Sequence, residues 1–252
     1  MVYWDSKTLK RRAKDVLSGH YWQYFLAMLV CGVIGGSLTH FNFKISISNM
    51  NFRNLDEFIR YLLNWFYSHY PSILTSFAAS GVGKTLWKIF ISNPFYVGSG
   101  RYTTLASYRK YDFQNIFFPF SEGRYLKTVI TLLLRDIYIM LWSLLLVIPG
   151  IIKAYSYFMV PYILAENPNI SRERAFEISK RATSGEKWRM FLFDLSFFGW
   201  YLLGALCFGI GVLFVVPYYA AAHAELYGAL RFKAVRESIC GPNEIGSELF
   251  RN

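Results

Sequence analysis

The sequence predicts an all-α fold, a polytopic transmembrane helical bundle of about six spans with both termini cytoplasmic, and three observations lead there. Of the 252 residues, 54% are hydrophobic and only 17% charged, with a mean hydropathy of +0.25. A soluble domain of this length carries more charge on its surface. Aromatic residues make up 19% of the chain, and many stand beside charges at the ends of apolar runs, where interfacial anchors sit. The net charge of +11 is gathered in the connections between apolar runs. That placement orients a bundle and engages anionic headgroups, and it excludes nucleic acid as the partner.

Residues 1–20 read as a basic amphipathic helix on the membrane surface, because Lys7, Lys10, Arg11, Arg12 and Lys14 alternate with Leu9, Ala13 and Leu17 at helical spacing. A single bundle, residues 21–230, follows. Its first span, about 21–38, opens on Tyr21, Trp22, Tyr24 and Phe25, and carries Gly32, Gly35 and Gly36 for close helix approach. No small-residue cleavage site follows this run, so it reads as a retained span. Residues 39–84 form the one sizeable outer region. Asp56, Glu57, Arg60, His69 and Pro71 argue against a clean crossing there and for an interfacial helix pair.

A second span, about 86–108, must break or kink at Asn93-Pro94, since proline removes a helix hydrogen bond. Two further spans, about 128–148 and 150–165, form a tight hairpin reversing at Pro149-Gly150. Asn167-Pro168 stops the return helix, and Ser171 caps a short cytosolic helix that runs towards Gly185. The second hairpin, about 190–206 and 210–226, turns around Gly209-Ile210-Gly211 and leads to a cytoplasmic tail at 231–252.

Sidedness comes from the basic residues. Five precede the first span, five lie between Arg101 and Lys127, seven between Lys153 and Arg189, and four from Arg231 onward, whereas the longer region 39–84 has four. Short connections rich in lysine and arginine stay in the cytoplasm, and six spans satisfy every connection.

Four charges within the spans are the candidates for a functional role: Arg101 in the inner part of the second, Arg135 and Asp136 deep in the third, and Asp194 in the fifth. Such charges are costly unless they pair or line a wet cavity. The packing reading pairs Arg135 with Asp194 or Asp136. The functional reading is an ion or substrate path, or, with Arg101 added, a basic inner cavity holding a lipid headgroup or another anion. Packing is the favoured reading.

Other motifs carry less. Gly83-Lys84-Thr85 mimics the end of a phosphate-binding loop, but Ala78 stands where its first glycine belongs and no strand precedes it. His20, His40, His69 and His223 form no HxxxH or HExxH pair, and Cys31, Cys207 and Cys240 form no CxxC, so neither metal nor cofactor is expected. His223, near Glu225, reads as a packed or interfacial side chain. Without a GxSxG elbow, Ser143, Ser156 and Ser196 read as helix-packing hydroxyls. No catalytic residue is assigned, and the expectation is a protein that is not an enzyme.

One set of motifs carries a resemblance. Trp142, the run Pro149-Gly150-Ile151-Ile152-Lys153-Ala154-Tyr155-Ser156-Tyr157, Pro161-Tyr162-Ile163-Leu164-Ala165, the Asn167-Pro168 stop, Ser179-Lys180, Gly185-x-Lys187, Ser196-Phe197-Phe198-Gly199-Trp200 and Pro217-Tyr218 together resemble the domain of unknown function 975 family, integral membrane proteins of mainly Gram-positive bacteria. The resemblance runs from about Lys7 to Tyr227 and fades over 39–84. It implies a multi-pass protein of the bacterial cell membrane, and it supplies no catalytic residue, substrate or cofactor. A looser similarity to the membrane domain joined to some glycerophosphodiester phosphodiesterases points to lipid-related work by analogy alone.

An internal echo also appears: Trp142, Pro149-Gly150 and Pro161-Tyr162 recur as Trp200, Gly209-Ile210-Gly211 and Pro217-Tyr218, as two similar hairpins would. The expected role is therefore accessory, scaffolding or lipid-contacting. A small transporter or permease component is the alternative. Partners are membrane lipids, with a second membrane protein or another copy of the chain as the further class.

Overall fold

The computed structural model describes residues 4–35, 85–121, 123–206 and 210–245. The outer region at 39–84, with its interfacial helices and its phosphate-loop mimic, lies outside the described residues apart from Thr85, and so does Cys207. Among the described residues there are nine α-helices and no strand.

Helix α1, Ser6–Leu17, starts where the Asp5 carboxylate accepts the backbone N–H of Lys7 and Thr8, a side-chain cap for two free amides. Leu9, Ala13, Val16 and Leu17 are buried on its apolar face, which packs across the last helix, α9, Ile210–Arg236. The expected surface helix is therefore present, but protein covers its apolar stripe. Lys10 and Lys14 lie over the rings of Phe197 and Tyr218 at 4.5 and 5.8 Å. Burial and the neighbouring Lys14 charge hold the Lys10 ammonium below its ordinary pKa.

Helix α2, Tyr21–Ile34, is apolar but shorter than the expected first span. The second expected span is a π-helical turn, Lys88–Ser92, running into α3, Asn93–Ser107. Instead of breaking at Asn93-Pro94, the helix widens for one turn just before the proline. The missing Pro94 N–H falls at the junction, where the register has already changed. Helix α3 is largely buried. A 3-10 segment, Phe113–Phe120, folds back along it, so closely that a Cβ on Gly98 would lie 1.9 Å from the Ile116 carbonyl oxygen.

The first hairpin is α4, Tyr125–Leu145, with α5, Val147–Ser156. Its reversal lies at Leu146, whose extended backbone (φ −161°, ψ 150°) separates the helices. The reversal expected at Pro149-Gly150 is thus moved three residues earlier. Proline is tolerated in the first turn of a helix, where its N–H would be free anyway, and Pro149 sits there. Gly150 serves packing instead: a Cβ would stand 2.1 Å from Ser143 Oγ. After a short break the chain continues as α6, Val160–Glu166, with Pro161 in its first turn.

Helix α7, Arg172–Ala182, is capped by Ser171 as expected, and the chain passes Gly185 at φ +80°. Glu173 in its first turn and Lys180 and Arg181 in its last complement the helix dipole. Helix α8, Lys187–Leu206, and α9 make the second hairpin. Gly204 and Gly211 meet so closely that a Cβ on either would lie 2.8 Å from the other's backbone. Helix α9 runs ten residues past the expected end of its span, so Arg231 and Lys233 are buried helical residues and not part of a tail.

Three stretches are long and apolar enough to cross a membrane: Tyr125–Leu145, Val147–Glu166 and Lys187–Leu206. They turn large apolar side chains outward, with Leu126, Leu145 and Ile148 at 65%, 70% and 71% exposure. Water penalises such surface, at about 25 cal/mol per Å², and hydrocarbon does not. The protein is therefore a membrane protein, and the three stretches are its candidate spans.

Candidate functional site

The four charges expected within spans fall into distinct side-chain clusters. On α4, the Arg135 guanidinium folds onto its neighbour, donating through Nε at 3.1 Å and Nη2 at 2.8 Å to Asp136 Oδ1. Asn93 Nδ2 donates to Asp136 Oδ2 at 3.3 Å, and Lys88 Nζ stands 3.8 Å from the same oxygen. The Arg135 guanidinium also lies 5.5 Å from the Tyr96 ring, a cation–π contact. The π turn and the start of α3 thus supply the groups that answer the α4 charges.

Asp194 lies halfway along α8. Its carboxylate is 2.7 Å from His223 Nε2, accepts the Tyr155 hydroxyl at 2.8 Å, and lies 3.5 Å from that of Tyr219. His223 and Tyr219 are one turn apart on α9, and Tyr155 comes from α5, so this carboxylate fastens three helices. Rings close around the imidazole, with centroids of Tyr219, Phe158 and Phe193 at 4.0, 5.3 and 5.9 Å. Arg135 is paired with Asp136, and Asp194 with His223, so of the two pairings expected for Arg135 the adjacent one is formed.

Arg101 occupies a third place. It donates to the Ala165 carbonyl at 2.6 Å and to Asn115 Oδ1 at 3.0 Å, and its guanidinium stacks 3.7 Å above Phe118. Next to it is a pair that sequence reading missed. Glu166, the last residue of α6, is ion-paired with Arg231 of α9 and accepts the Tyr227 hydroxyl at 2.7 Å, while Arg231 also donates to the Tyr108 hydroxyl. Both charges are nearly inaccessible, at 4% and 9% exposure. Neutral surroundings would make either one alone very costly, and together they satisfy each other. Lys233 reaches the Ser184 carbonyl at 2.8 Å and Glu186 at 3.4 Å, and Glu186 is paired with Arg189 as well.

A clasp closes the far end. Arg174 of α7 donates to both oxygens of Glu244 at 2.9 Å and to the Ile239 carbonyl, and Asn167 donates to the Glu244 carbonyl at 2.9 Å. These bonds hold residues 239–244 against α7. Hydrogen bonds from Arg174 and from the Gly241 amide keep the Glu244 carboxyl below its usual range.

Ser143 and Ser156 donate to the carbonyls of Ile139 and Ile152 in their own helices, each at 2.8 Å, one helical turn back. Ser196 likewise donates to the Phe193 carbonyl. Among the described residues no group of three or more His, Cys, Asp or Glu could hold a metal ion.

Residues 144–234 match the model of a family described as a protein of unknown function (DUF975). The matched stretch contains Tyr155, Glu166, Asp194, His223 and Arg231, whereas Arg101, Arg135 and Asp136 precede it. No curated protein and no solved structure matches the chain.

Proposed function

We propose that the protein is a non-enzymatic scaffold or accessory protein of the bacterial cell membrane, one that presents apolar helix faces to lipid and uses its buried charges to fix helix packing. A single observation carries this reading. Each charge expected to line a path has its polar partners in its own cluster: Asp136 with Arg135, Asn93 and Lys88, and Asp194 with His223 and Tyr155. Charges satisfied in this way hold elements together at modest net cost. The basic residues of the connections support a cytoplasmic position for both termini.

The alternative, a small transporter or permease component, is supported by Tyr96. Its ring lies 5.5 Å from the Arg135 guanidinium, which extends the Arg135–Asp136 cluster of α4 onto α3. Substituting Asp194→Asn separates the readings. Packing predicts lower abundance and a lower melting temperature in mild detergent, with the ion permeability of reconstituted vesicles unchanged. A variant that keeps normal abundance and melting but alters permeability would overturn the scaffold reading.

A further inference from the structure

The 3-10 segment Phe113–Phe120 sorts its side chains into rows, because residues three apart eclipse one another in such a helix. Ile116 and Pro119 form the buried row, with the Ile116 backbone pressed against Gly98 of α3. Asn115 and Phe118 form the second and turn to Arg101, which donates to Asn115 Oδ1 at 3.0 Å and stacks on the Phe118 ring. The last row, Gln114, Phe117 and Phe120, is exposed, and Phe113 is exposed beside it. The three phenylalanines of this outer side are 41%, 45% and 38% open.

These rings are held outward by their neighbours. Phe95 of α3 backs Phe117 and Phe120, with centroids at 5.7 and 4.9 Å, and Phe113 lies 6.2 Å from Phe117. At one end Phe120 stacks on Tyr125, 5.7 Å away, and the row passes into the exposed apolar side of α4 at Leu126 and Ile130. An apolar groove of about 390 Å³, lined by Phe120, Ser121, Gly123, Tyr125 and Leu126, joins the two surfaces. At the other end Tyr111 ties the segment to the close of α1, its hydroxyl donating to the Val16 carbonyl at 2.7 Å and its ring stacking on His20 at 4.1 Å.

Cations stand on both sides of the row. Arg109 and Lys110 precede it and are exposed, Arg124 and Lys127 follow it, and α1 turns Lys7, Arg11, Arg12 and Lys14 outward. Against the four basic residues, the stretch 109–127 has two acidic ones, Asp112 and Glu122, and the Asp112 carboxylate is engaged by the Gln114 amide and Asn115. Exposed rings between cations, set between a basic helix and the head of a candidate span, match the boundary layer of a bilayer, where apolar surface and charge are both accommodated. We propose that Phe113–Phe120 is an interfacial anchor, which seats Phe113, Phe117 and Phe120 where lipid headgroups meet acyl chains and leaves the flanking cations in the headgroup layer. This rests on the reading of the protein as lipid-contacting, and adds to it the level at which the bundle meets the bilayer surface.

The test is photo-crosslinking of the full-length protein in vesicles of phosphatidylcholine and phosphatidylglycerol. The photoreactive p-benzoylphenylalanine replaces Phe117 in one variant and Phe113, at the edge of the row, in a second. A third carries it at Ile137, exposed and half-way along α4. Mass spectrometry of the adducts locates the attachment on the lipid.

The anchor predicts attachment to lipid from positions 113 and 117, on the glycerol backbone and upper acyl carbons, about 5–10 Å into the boundary. Ile137 should attach in the terminal half of the chains. Attachment from 113 and 117 as deep as from Ile137 would overturn the anchor, as would crosslinks from them to a second copy of the chain instead of lipid. Lipid adducts from Ile137 alone would sink the anchor and leave the lipid-contacting reading standing. Adducts from none of the three positions would sink both.

Discussion

The two hairpins close by the same device and keep their charges in opposite ways. In the first, Gly150 lets α5 approach Ser143, and in the second Gly204 and Gly211 touch backbone to backbone. The charges of the first hairpin, Arg135 and Asp136, are adjacent in sequence and satisfied on one side of α4 by the π turn and α3. Asp194 of the second is satisfied across its own hairpin by His223 and across to the first by Tyr155. One hairpin therefore carries a local pair at its flank, while the other carries the bond that joins the two. Removing a charge from the second should loosen more of the bundle than removing one from the first.

The largest effect is expected where both hairpins end. Arg231→Met leaves Glu166 buried without its cation, and loss of one partner of a buried pair costs about 3–5 kcal/mol. The variant should fail to accumulate or should melt far below wild type in detergent. The double variant Glu166→Gln, Arg231→Met should recover part of the loss.

Next come the turns. Gly204→Leu forces a side chain into the Gly211 backbone, an overpacking cost of about 1–3 kcal/mol or more, seen as a lower melting temperature. Gly150→Leu should cost a similar amount, because turning Ser143 Oγ away still leaves Ser143 Cα and Cβ 2.9 Å from the new Cβ.

Smaller again is the difference between the clusters. His223→Gln should lower the melting temperature more than Lys88→Gln, since His223 is buried and close to Asp194 while Lys88 is half exposed and 3.8 Å from Asp136.

The smallest effect lies at the clasp. The folded Glu244 carboxyl titrates below its unfolded value near pH 4. Its contribution is therefore complete above that value and lost as pH falls through the lower, folded one. Hydrogen-exchange protection over 239–245, taken relative to the intrinsic exchange rate at each pH, should fall as the solution is acidified through that range, and Glu244→Gln should show the lower protection already at neutral pH.

The legible features were those written within a few residues. The capping Ser171, the stop at Asn167-Pro168, the apolar stripe of α1 and the positive-φ Gly185 each act through a neighbour within about a turn, and each stands where the sequence places it. The pairing of α4 with α5 was legible too, although the chain reverses at Leu146, and the turn read around Gly209 lies outside the described residues. At Leu146 the extended backbone, and not the proline, makes the turn.

What escaped sequence reading was pairing across the fold. His223 was foreseen as packed, but its bond to Asp194 spans 29 residues, that of Tyr155 spans 39, and Glu166 to Arg231 spans 65. No periodicity records which helix faces meet. Glu166 read as the residue before a helix stop and Arg231 as one tail cation among several. Only the packing of α6 beside α9 makes them partners.

A double-mutant cycle in mild detergent tests the central claim most directly. Melting free energies are measured for Asp194→Asn with His223→Gln, and for Asp194→Asn with Asp136→Asn. Clusters that fix packing separately predict a coupling of about 0.5–3 kcal/mol for the first pair and additivity within about 0.5 kcal/mol for the second. A coupling between Asp194 and Asp136 as large as that between Asp194 and His223 would contradict the account and put both carboxylates in one continuous polar system.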